Sequence, residues 1–176
     1  MRCALIVLFL SFLLVSCEER LRPSFVNVQH EIPSQESWRS RVIFSDSSQV
    51  KAILWAGHIA VYATGHFTQL DDSVHVDFYN TLGEHTSTLT ARRGRVDDAT
   101  NNFEAHENVV VVSDSGTTLR TERLYWTNAD RTIHTDAFVD ITSPTEHISG
   151  TGMVSDEALK NYKIFKVSGK SVAKDL

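Results

Sequence analysis

Apolar and polar positions alternate along most of the chain after residue 37. The segment 73–79, SVHVDFY, is the clearest example, because every second side chain within it is apolar. Alternation over so few residues predicts a half-buried β-strand. Clusters of Asp, Asn, Ser and Gly separate such runs at intervals of about 8 to 14 residues, a spacing typical of all-β domains. We therefore predict strands throughout, with 51–62 and 156–160 as the two stretches that could also hold a helical turn.

The alternating pattern repeats with a period of thirty residues. Segment 87–113 aligns without a gap on segment 117–143, and a looser third copy begins at Ile148. Periods of about 20 to 50 residues are typical of stacked or rolled repeat architectures. The repeat therefore predicts one continuous, elongated roll. The apolar positions that coincide in the first two copies are Leu89 with Leu119, Val96 with Trp126, Phe103 with Ile133, Val109 with Val139, and Val111 with Ile141.

One face of the repeated strands is apolar or carries small side chains, whereas the other is mostly polar. Because successive side chains point to opposite faces of a strand, this asymmetry predicts a sheet with one buried face. Val110, Val112 and Phe138 are apolar exceptions on the polar face. The predicted buried face comprises Phe103, Ala105, Val109, Val111, Leu119, Thr121, Ile133, Thr135, Val139 and Ile141.

The first sixteen residues have the composition of an export signal. An apolar run over 3–15 follows the single charge of Arg2. As a helix this run would be roughly 20 Å long, too short for a hydrocarbon core of about 30 Å. Its end, Leu-Val-Ser-Cys at 14–17, resembles a bacterial lipobox, so we predict cleavage before Cys17, acylation of Cys17 and a flexible tether over 17–36. The alternative is an ordinary secretory signal in which Cys17 is incidental.

Composition and charge exclude several classes of function. Cys3 and Cys17 are the only cysteines, so the predicted domain can hold neither a disulfide nor a Cys-ligated metal. A formal net charge of −5 without a basic run argues against nucleic acid as a partner. Since no catalytic or phosphate-binding motif is present, we predict no enzyme activity, cofactor or metal site. The alternative is a small hydrolase that uses His75 and Asp77. Both residues are also explained as ordinary solvent-facing residues of a strand.

Several β-repeat motifs occur between Trp38 and Gly169. They are Asn108 to Val111 before a turn, Gly116 to Glu122 leading into Leu124 to Trp126, the strand from Thr135 to Val139, Ile148 to Gly152 and, upstream, Asp77 to Tyr79, Ser87 to Ala91 and Gly94. In these motifs the chain from Trp38 to Gly169 resembles the LptC family, the periplasmic bridge component of lipopolysaccharide export.

This resemblance implies an open β-jellyroll, in which two antiparallel sheets do not close and lipid acyl chains lie in the slot between them. Such a protein would accept lipopolysaccharide from an inner-membrane ABC permease complex and pass it along jellyrolls joined edge to edge. Acyl chains require an apolar trough, and sugars and phosphates would stay outside it. The residues expected to line the slot are Leu89, Phe103, Val109, Val111, Leu119, Ile133, Val139, Ile141 and Ile148.

Edge-to-edge joining by β-augmentation requires an unpaired strand at each end of the roll. We expect segment 38–44 to meet the permease. At the other end, we expect a soluble β-jellyroll bridge protein to be contacted by Tyr162, Ile164, Phe165 and Val167. An alternative interpretation is that the C-terminal edge is protected against pairing by its lysines, Lys160, Lys163 and Lys166.

The predicted lipid anchor departs from the familiar members of this family, which are held by an uncleaved transmembrane helix. We expect a periplasmic lipoprotein that is tethered to the inner membrane through Cys17. Its β-jellyroll would comprise residues 37–169, followed by a tail over 170–176. The alternative function is that of a structural scaffold lipoprotein that binds only protein partners through its edge strands.

Overall fold

The computed structural model describes residues 32–172, and the regular structure of this part of the chain is entirely β, which confirms the predicted fold class. Residues 51–62 lie within one strand, and the stretch after Asp156 is a turn. The first strand begins inside the predicted tether and the last continues into the predicted tail. The strands are β1 (Gln35–Asp46), β2 (Gln49–Tyr62), β3 (Phe67–Tyr79), β4 (His85–Ala91), β5 (Arg93–Asp97), β6 (Phe103–Ser113), β7 (Thr118–Thr127), β8 (Thr132–Thr142), β9 (Glu146–Asp156) and β10 (Tyr162–Val172).

All ten strands belong to one hydrogen-bonded antiparallel sheet. Its order is β1-β2-β3-β4-β6-β7-β8-β9-β10, so β1 and β10 are its two edges. β5 pairs with the first parts of β3 and β6, whereas β4 pairs with the last part of each. β4 and β5 therefore share one position in the sheet, interrupted at Arg92. The two sheets expected from the sequence are two halves of one continuous sheet.

A line of backbone irregularities, which we call the seam, crosses the middle of this sheet. Bulges of this kind bend strands and increase their twist. From Arg92 onward the chain crosses the seam once every fifteen residues. A hairpin of two strands is therefore thirty residues long, and this length explains the thirty-residue period of the sequence. The seam runs through Gly57, Asp72–Ser73, Arg92, Glu107–Asn108, Glu122–Arg123, Asp136–Ala137 and Gly152, and φ is positive at Asp72, Ser73, Glu107, Asn108 and Gly152.

The sheet folds along the seam so that its two halves face each other. We call them the β4 half and the β5 half, after the strand that each contains. The indole of Trp126, in the β5 half, packs against Phe44 and Phe78, with ring centroids 5.7 and 5.5 Å apart. Phe44 and Phe78 both lie in the β4 half, in register with Ala52. Because β1 and β7 are far apart in the strand order, these contacts require the sheet to close on itself.

The inner faces of the two halves form a single hydrophobic core. All ten positions of the predicted apolar face are buried, which confirms the alternation read from the sequence. The buried hydroxyl of Thr121 is satisfied, because it donates to the backbone oxygen of Phe138 at 2.8 Å. In the third copy of the repeat, Ile148 is buried and Tyr162 packs against the core, whereas Val167 is exposed.

Replacement of Gly57 by Ala tests the close approach of β2 and β3 at the seam. A Cβ atom at position 57 would overlap the backbone oxygen of Asp72 and lie 2.7 Å from its Cβ, so the two strands would have to separate. We expect Gly57→Ala to lower the free energy of unfolding by about 1 to 3 kcal/mol, measured by urea denaturation with tryptophan fluorescence.

Gly169→Ala is the matched control for this substitution. A Cβ at position 169 would approach only the Ser149 hydroxyl, which can rotate away. We expect a change within about 0.5 kcal/mol. Equal effects of the two substitutions would show that the seam has no special packing constraint.

Candidate functional site

The nine side chains predicted to line an acyl-chain slot all lie on the inner surface of the folded sheet. Ile148 is the most exposed of them at 9 %, and the others are almost completely buried. Eight of the nine belong to the same core cluster as Trp126. The fold therefore brings these residues together as one closely packed apolar surface. Their contact with lipid stays a prediction.

The turns at the free ends of the two halves meet along a line that we call the mouth. Polar groups from the β4 half and the β5 half bridge this line at several points. Such hydrogen bonds contribute about 0.5 to 1.5 kcal/mol each, so the mouth is held more weakly than the core. The bridges include Lys51 Nζ with the Asn128 oxygen at 3.4 Å, Arg131 Nη2 with the Tyr79 oxygen, Ser87 Oγ with the Glu157 oxygen at 2.6 Å, and Tyr162 OH with Glu146 Oε1 at 2.9 Å.

Glu157 is the central residue of these bridges. Its side chain is 6 % exposed, and its two carboxyl oxygens accept from Trp126 Nε1 at 2.7 Å and from Arg131 Nη2 at 2.5 Å. Burial raises the pKa of the Glu157 carboxyl, and the neighbouring Arg131 and Trp126 only partly oppose this shift. The loss of either partner would leave a buried acid incompletely satisfied, which is costly.

The mouth is open over part of its length. A cavity of about 970 Å³ lies between the turns of the two halves, in the stretch from the Ser87–Glu157 bridge to the Glu146–Tyr162 bridge. Its lining is mixed, with hydroxyl groups beside apolar side chains. The cavity is lined on the β4 half by Ser115, Thr117 and Pro144, and on the β5 half by Thr132, Ser155 and Leu159.

The segments predicted to meet partners are the two edges of the sheet. β10 pairs only with β9, and β1 only with β2, within residues 32–172. Tyr162 and Ile164 turn inward and pack against the core, whereas Phe165 and Val167 are more than half exposed. Contact of either edge with a partner stays a prediction.

His75 and Asp77 form a hydrogen-bonded pair on the outer face of the β4 half. His75 Nε2 lies 3.0 Å from Asp77 Oδ1, and His85 Nε2 lies 3.5 Å from the same oxygen. Asp114 binds the other ring nitrogen of His85 at 2.9 Å. In the part of the chain that the structure describes, no group of three or more His, Cys, Asp or Glu side chains is arranged to hold a metal ion.

The predicted export signal and Cys17 lie outside the described residues. Between residues 32 and 172, no helix has the length and apolar character needed to cross a membrane.

Two features of the site were missed by reasoning from the sequence. The seam could have been found from the fifteen-residue spacing of Arg92, Glu107 and Glu122, but these polar residues look like ordinary members of the outer face. The buried network of Glu157 and Arg131 gives no local signal, because the two residues lie in different turns of the β5 half that the pairing of β8 with β9 brings together.

Glu157→Gln tests the electrostatics of the mouth through the pH dependence of stability. Because the pKa of Glu157 is raised in the folded protein, its stabilising contribution is full below the ordinary value of 4.5 and is lost as pH rises through the raised pKa. Chemical denaturation across this window should therefore show a larger loss of stability with rising pH for the wild type than for Glu157→Gln. The exposed Glu122→Gln controls for the removal of one carboxylate; identical slopes for the wild type and Glu157→Gln would contradict the assignment.

Comparison with known proteins agrees with this architecture. The chain matches the family described as "Lipopolysaccharide-assembly, LptC-related" over residues 4–169, and no curated protein matches it. Members of the family are non-enzymatic periplasmic bridge proteins, associated with the inner membrane, that bind lipopolysaccharide and other components of its transport machinery. This excludes the hydrolase interpretation of His75 and Asp77. Since the match covers nearly the whole chain, the protein belongs to the LptC-related lipopolysaccharide-assembly family.

Proposed function

We propose that this protein accepts lipopolysaccharide from an inner-membrane ABC transporter, holds the acyl chains between the two halves of its sheet, and passes the molecule to a soluble β-jellyroll protein at its C-terminal edge. The observation that carries the proposal is an apolar inner surface that reaches from one edge of the sheet to the other. Val42 in β1 and Ile164 in β10 pack against the same core cluster. An acyl chain of lipopolysaccharide moving along this surface would contact apolar side chains from one edge to the other.

The energetics of chain entry favour opening at the mouth. Exposure of one CH₂ group to water costs about 0.8 kcal/mol, so an acyl chain of a dozen carbons that left the transporter without cover would cost on the order of 10 kcal/mol. The polar bridges of the mouth contribute about 0.5 to 1.5 kcal/mol each. Keeping the chain out of water is therefore worth more than a few bridges. The seam, where each strand already departs from regular geometry, is the natural hinge.

The C-terminal edge is suited to continue the apolar surface into a partner. Val167 lies opposite Gly150 in the pairing of β10 with β9. A side chain at position 150 would point towards Ile164. Val167 itself is 59 % exposed. A strand added to β10 would cover Val167 and extend the sheet by main-chain hydrogen bonds. Lys163 and Lys166 would discourage indiscriminate pairing, so the protective interpretation of these lysines is compatible with a specific partner.

We assign membrane attachment to acylation of Cys17, with residues 18–34 as the tether that leads into β1. The several acyl chains added to a bacterial lipoprotein suffice for stable anchoring, whereas one chain does not. Attachment at this end would keep β1 close to the inner membrane, where the permease lies, and leave β10 for the next bridge protein.

A scaffold lipoprotein that binds only protein partners is the second candidate. The close packing of the nine predicted slot residues favours it, because this interior is filled by its own side chains. The two candidates differ in whether lipopolysaccharide ever reaches the inner surface.

A photo-crosslinking amino acid at Val111 in living cells separates these candidates. Val111 is 1 % exposed and points inward, whereas its neighbour Val112 is 45 % exposed and points outward. If acyl chains occupy the interior, the probe at Val111 should capture lipopolysaccharide and the probe at Val112 should not.

Western blotting of the crosslinked protein for lipopolysaccharide provides the readout, with a third probe at Val167 to detect the edge partner. Capture of protein at Val167 without lipopolysaccharide at Val111 would establish the scaffold function. Equal capture at Val111 and Val112 would indicate binding to the outer surface.

A further inference from the structure

We infer that a cavity on the outer face of the β4 half is a docking site for a segment of another protein that presents a carboxylate beside an apolar side chain. The cavity is lined by Arg120 and has a volume of about 450 Å³. It lies on the face opposite to the inner surface assigned to acyl chains, so the inference goes beyond lipid transport and does not depend on it. Three features support it: exposed apolar walls, an arginine without an acidic partner, and strands that are already paired on both sides.

The walls of this cavity include apolar side chains that break the polar pattern of the outer face. Val110 and Phe138 line it, and Phe138 is 56 % exposed. Val112, two residues farther along β6 on the same face, is 45 % exposed. Val110 lies opposite Arg120, and Arg120 lies opposite Asp140, so these side chains are neighbours on one face of the sheet. Apolar side chains that are grouped on an exposed surface are typical of interaction sites.

Arg120 brings an unpaired positive charge to the cavity. Its side chain is exposed and forms no ion pair or hydrogen bond within residues 32–172. Asp140 lies opposite it in the sheet, but the Asp140 carboxylate is held by His147 Nε2 at 2.6 Å. Arg123, in the same strand, donates instead to both carboxylate oxygens of Asp136, at 2.8 and 3.0 Å. The guanidinium of Arg120 is therefore available to a carboxylate from another molecule.

An arginine beside aromatic and aliphatic side chains suits the recognition of a protein. Arginine and aromatic residues are enriched in protein interfaces and among the residues that dominate their binding energy. A guanidinium presents its N–H groups as a planar fork that matches a carboxylate. Phe138 and Val110 would shield such a pair from water and pack against an apolar neighbour of the acid. We therefore expect the partner segment to combine Asp or Glu with an adjacent aromatic or branched aliphatic residue.

The surroundings of the cavity exclude two other kinds of contact. β6, β7 and β8 each have a neighbouring strand on both sides, so their backbones offer no free edge for strand addition. A membrane surface fits poorly, because Glu122 and Asp140 line the same cavity and would repel anionic lipid head groups. The volume lies near the lower end of the range of about 300 to 1,000 Å³ for small-molecule sites, which is enough for a few side chains. A turn or helix of the partner would insert them.

The test begins with short random peptides that are displayed on phage and selected on the detergent-solubilised full-length protein. We expect the selected sequences to combine Asp or Glu with a neighbouring aromatic or branched aliphatic residue. Synthetic, fluorescein-labelled copies then give affinities by fluorescence anisotropy. Arg120→Gln and Phe138→Ser should each weaken binding by about five- to thirtyfold, as for strong interface residues. Both residues are exposed, so neither substitution should disturb the fold.

Arg95→Gln is the matched control. Arg95 is also an exposed arginine beside an aromatic ring, with its Cζ 3.9 Å from the ring centre of Phe67, but it does not line the cavity. We expect unchanged affinity for this variant. Replacing the acidic residue of the peptide by its amide should weaken binding as much as Arg120→Gln does, and the two changes together should have no larger effect than either alone. Additive effects, or no acidic residue among the selected peptides, would overturn the inference.

Photo-crosslinking in living cells tests the same surface with the cellular partner. A probe at Val112, beside the cavity, should capture a protein other than this chain, and Arg120→Gln but not Arg95→Gln should abolish the capture. The captured protein, identified by mass spectrometry, should contain a segment that matches the selected peptides.

Three results in cells would overturn the inference. The first is that no capture at Val112 depends on Arg120. The second is an Arg120-dependent adduct of two copies of this chain, which would make the surface a site of self-association. The third is an adduct with lipid. Each of them is distinguishable from a failure of the proposed lipid transport, because transport is tested separately by the capture of lipopolysaccharide at Val111.

Discussion

Residues 32–172 contain no helix that could cover the apolar face of the sheet, so the sheet buries that face by folding onto itself, and the seam makes that fold. The bulges at Asp72–Ser73, Glu107–Asn108 and Gly152 occupy equivalent points of successive strands and bend them together. The apolar side chains of both halves are thereby enclosed in one core. If the irregularities lay at different heights in neighbouring strands, the sheet would twist without closing. The thirty-residue period of the sequence thus results from two bends, one in each strand of a hairpin.

The same geometry leaves one side of the roll held by weaker forces. Along the seam the two halves are joined by the main chain itself, whereas at the mouth they meet only through turns and polar bridges. Glu157 connects the largest aromatic side chain of the core, Trp126, to the turn that contains Arg131. A protein that must admit and release lipid chains needs one boundary that opens at modest cost. The mouth has that property, and the seam does not.

Much of this arrangement could be predicted from the sequence, because alternation is a local signal. The inward positions of Phe103, Val109 and Ile141 follow directly from it. The position of segment 162–167 at an edge was expected from the family resemblance instead. What could not be predicted depends on contacts between distant segments. The pairing of Glu157 with Arg131 arises only when β8 and β9 are aligned, and the folding of one sheet where two were expected arises only when both halves are present. The match to LptC-related proteins supplied the ligand class, which no pattern of strands contains.

The proposed transport of lipid requires the two halves to hinge at the seam and to part at the mouth when an acyl chain enters. The distance between spin labels at Thr81 and Ala129 measures this opening, since these exposed residues lie in turns on opposite sides of the mouth. On addition of lipopolysaccharide, we expect this distance to lengthen, while the distance between labels at Asp72 and Asn108, both on the seam, stays constant. Binding of lipopolysaccharide with both distances unchanged would show that the halves do not part.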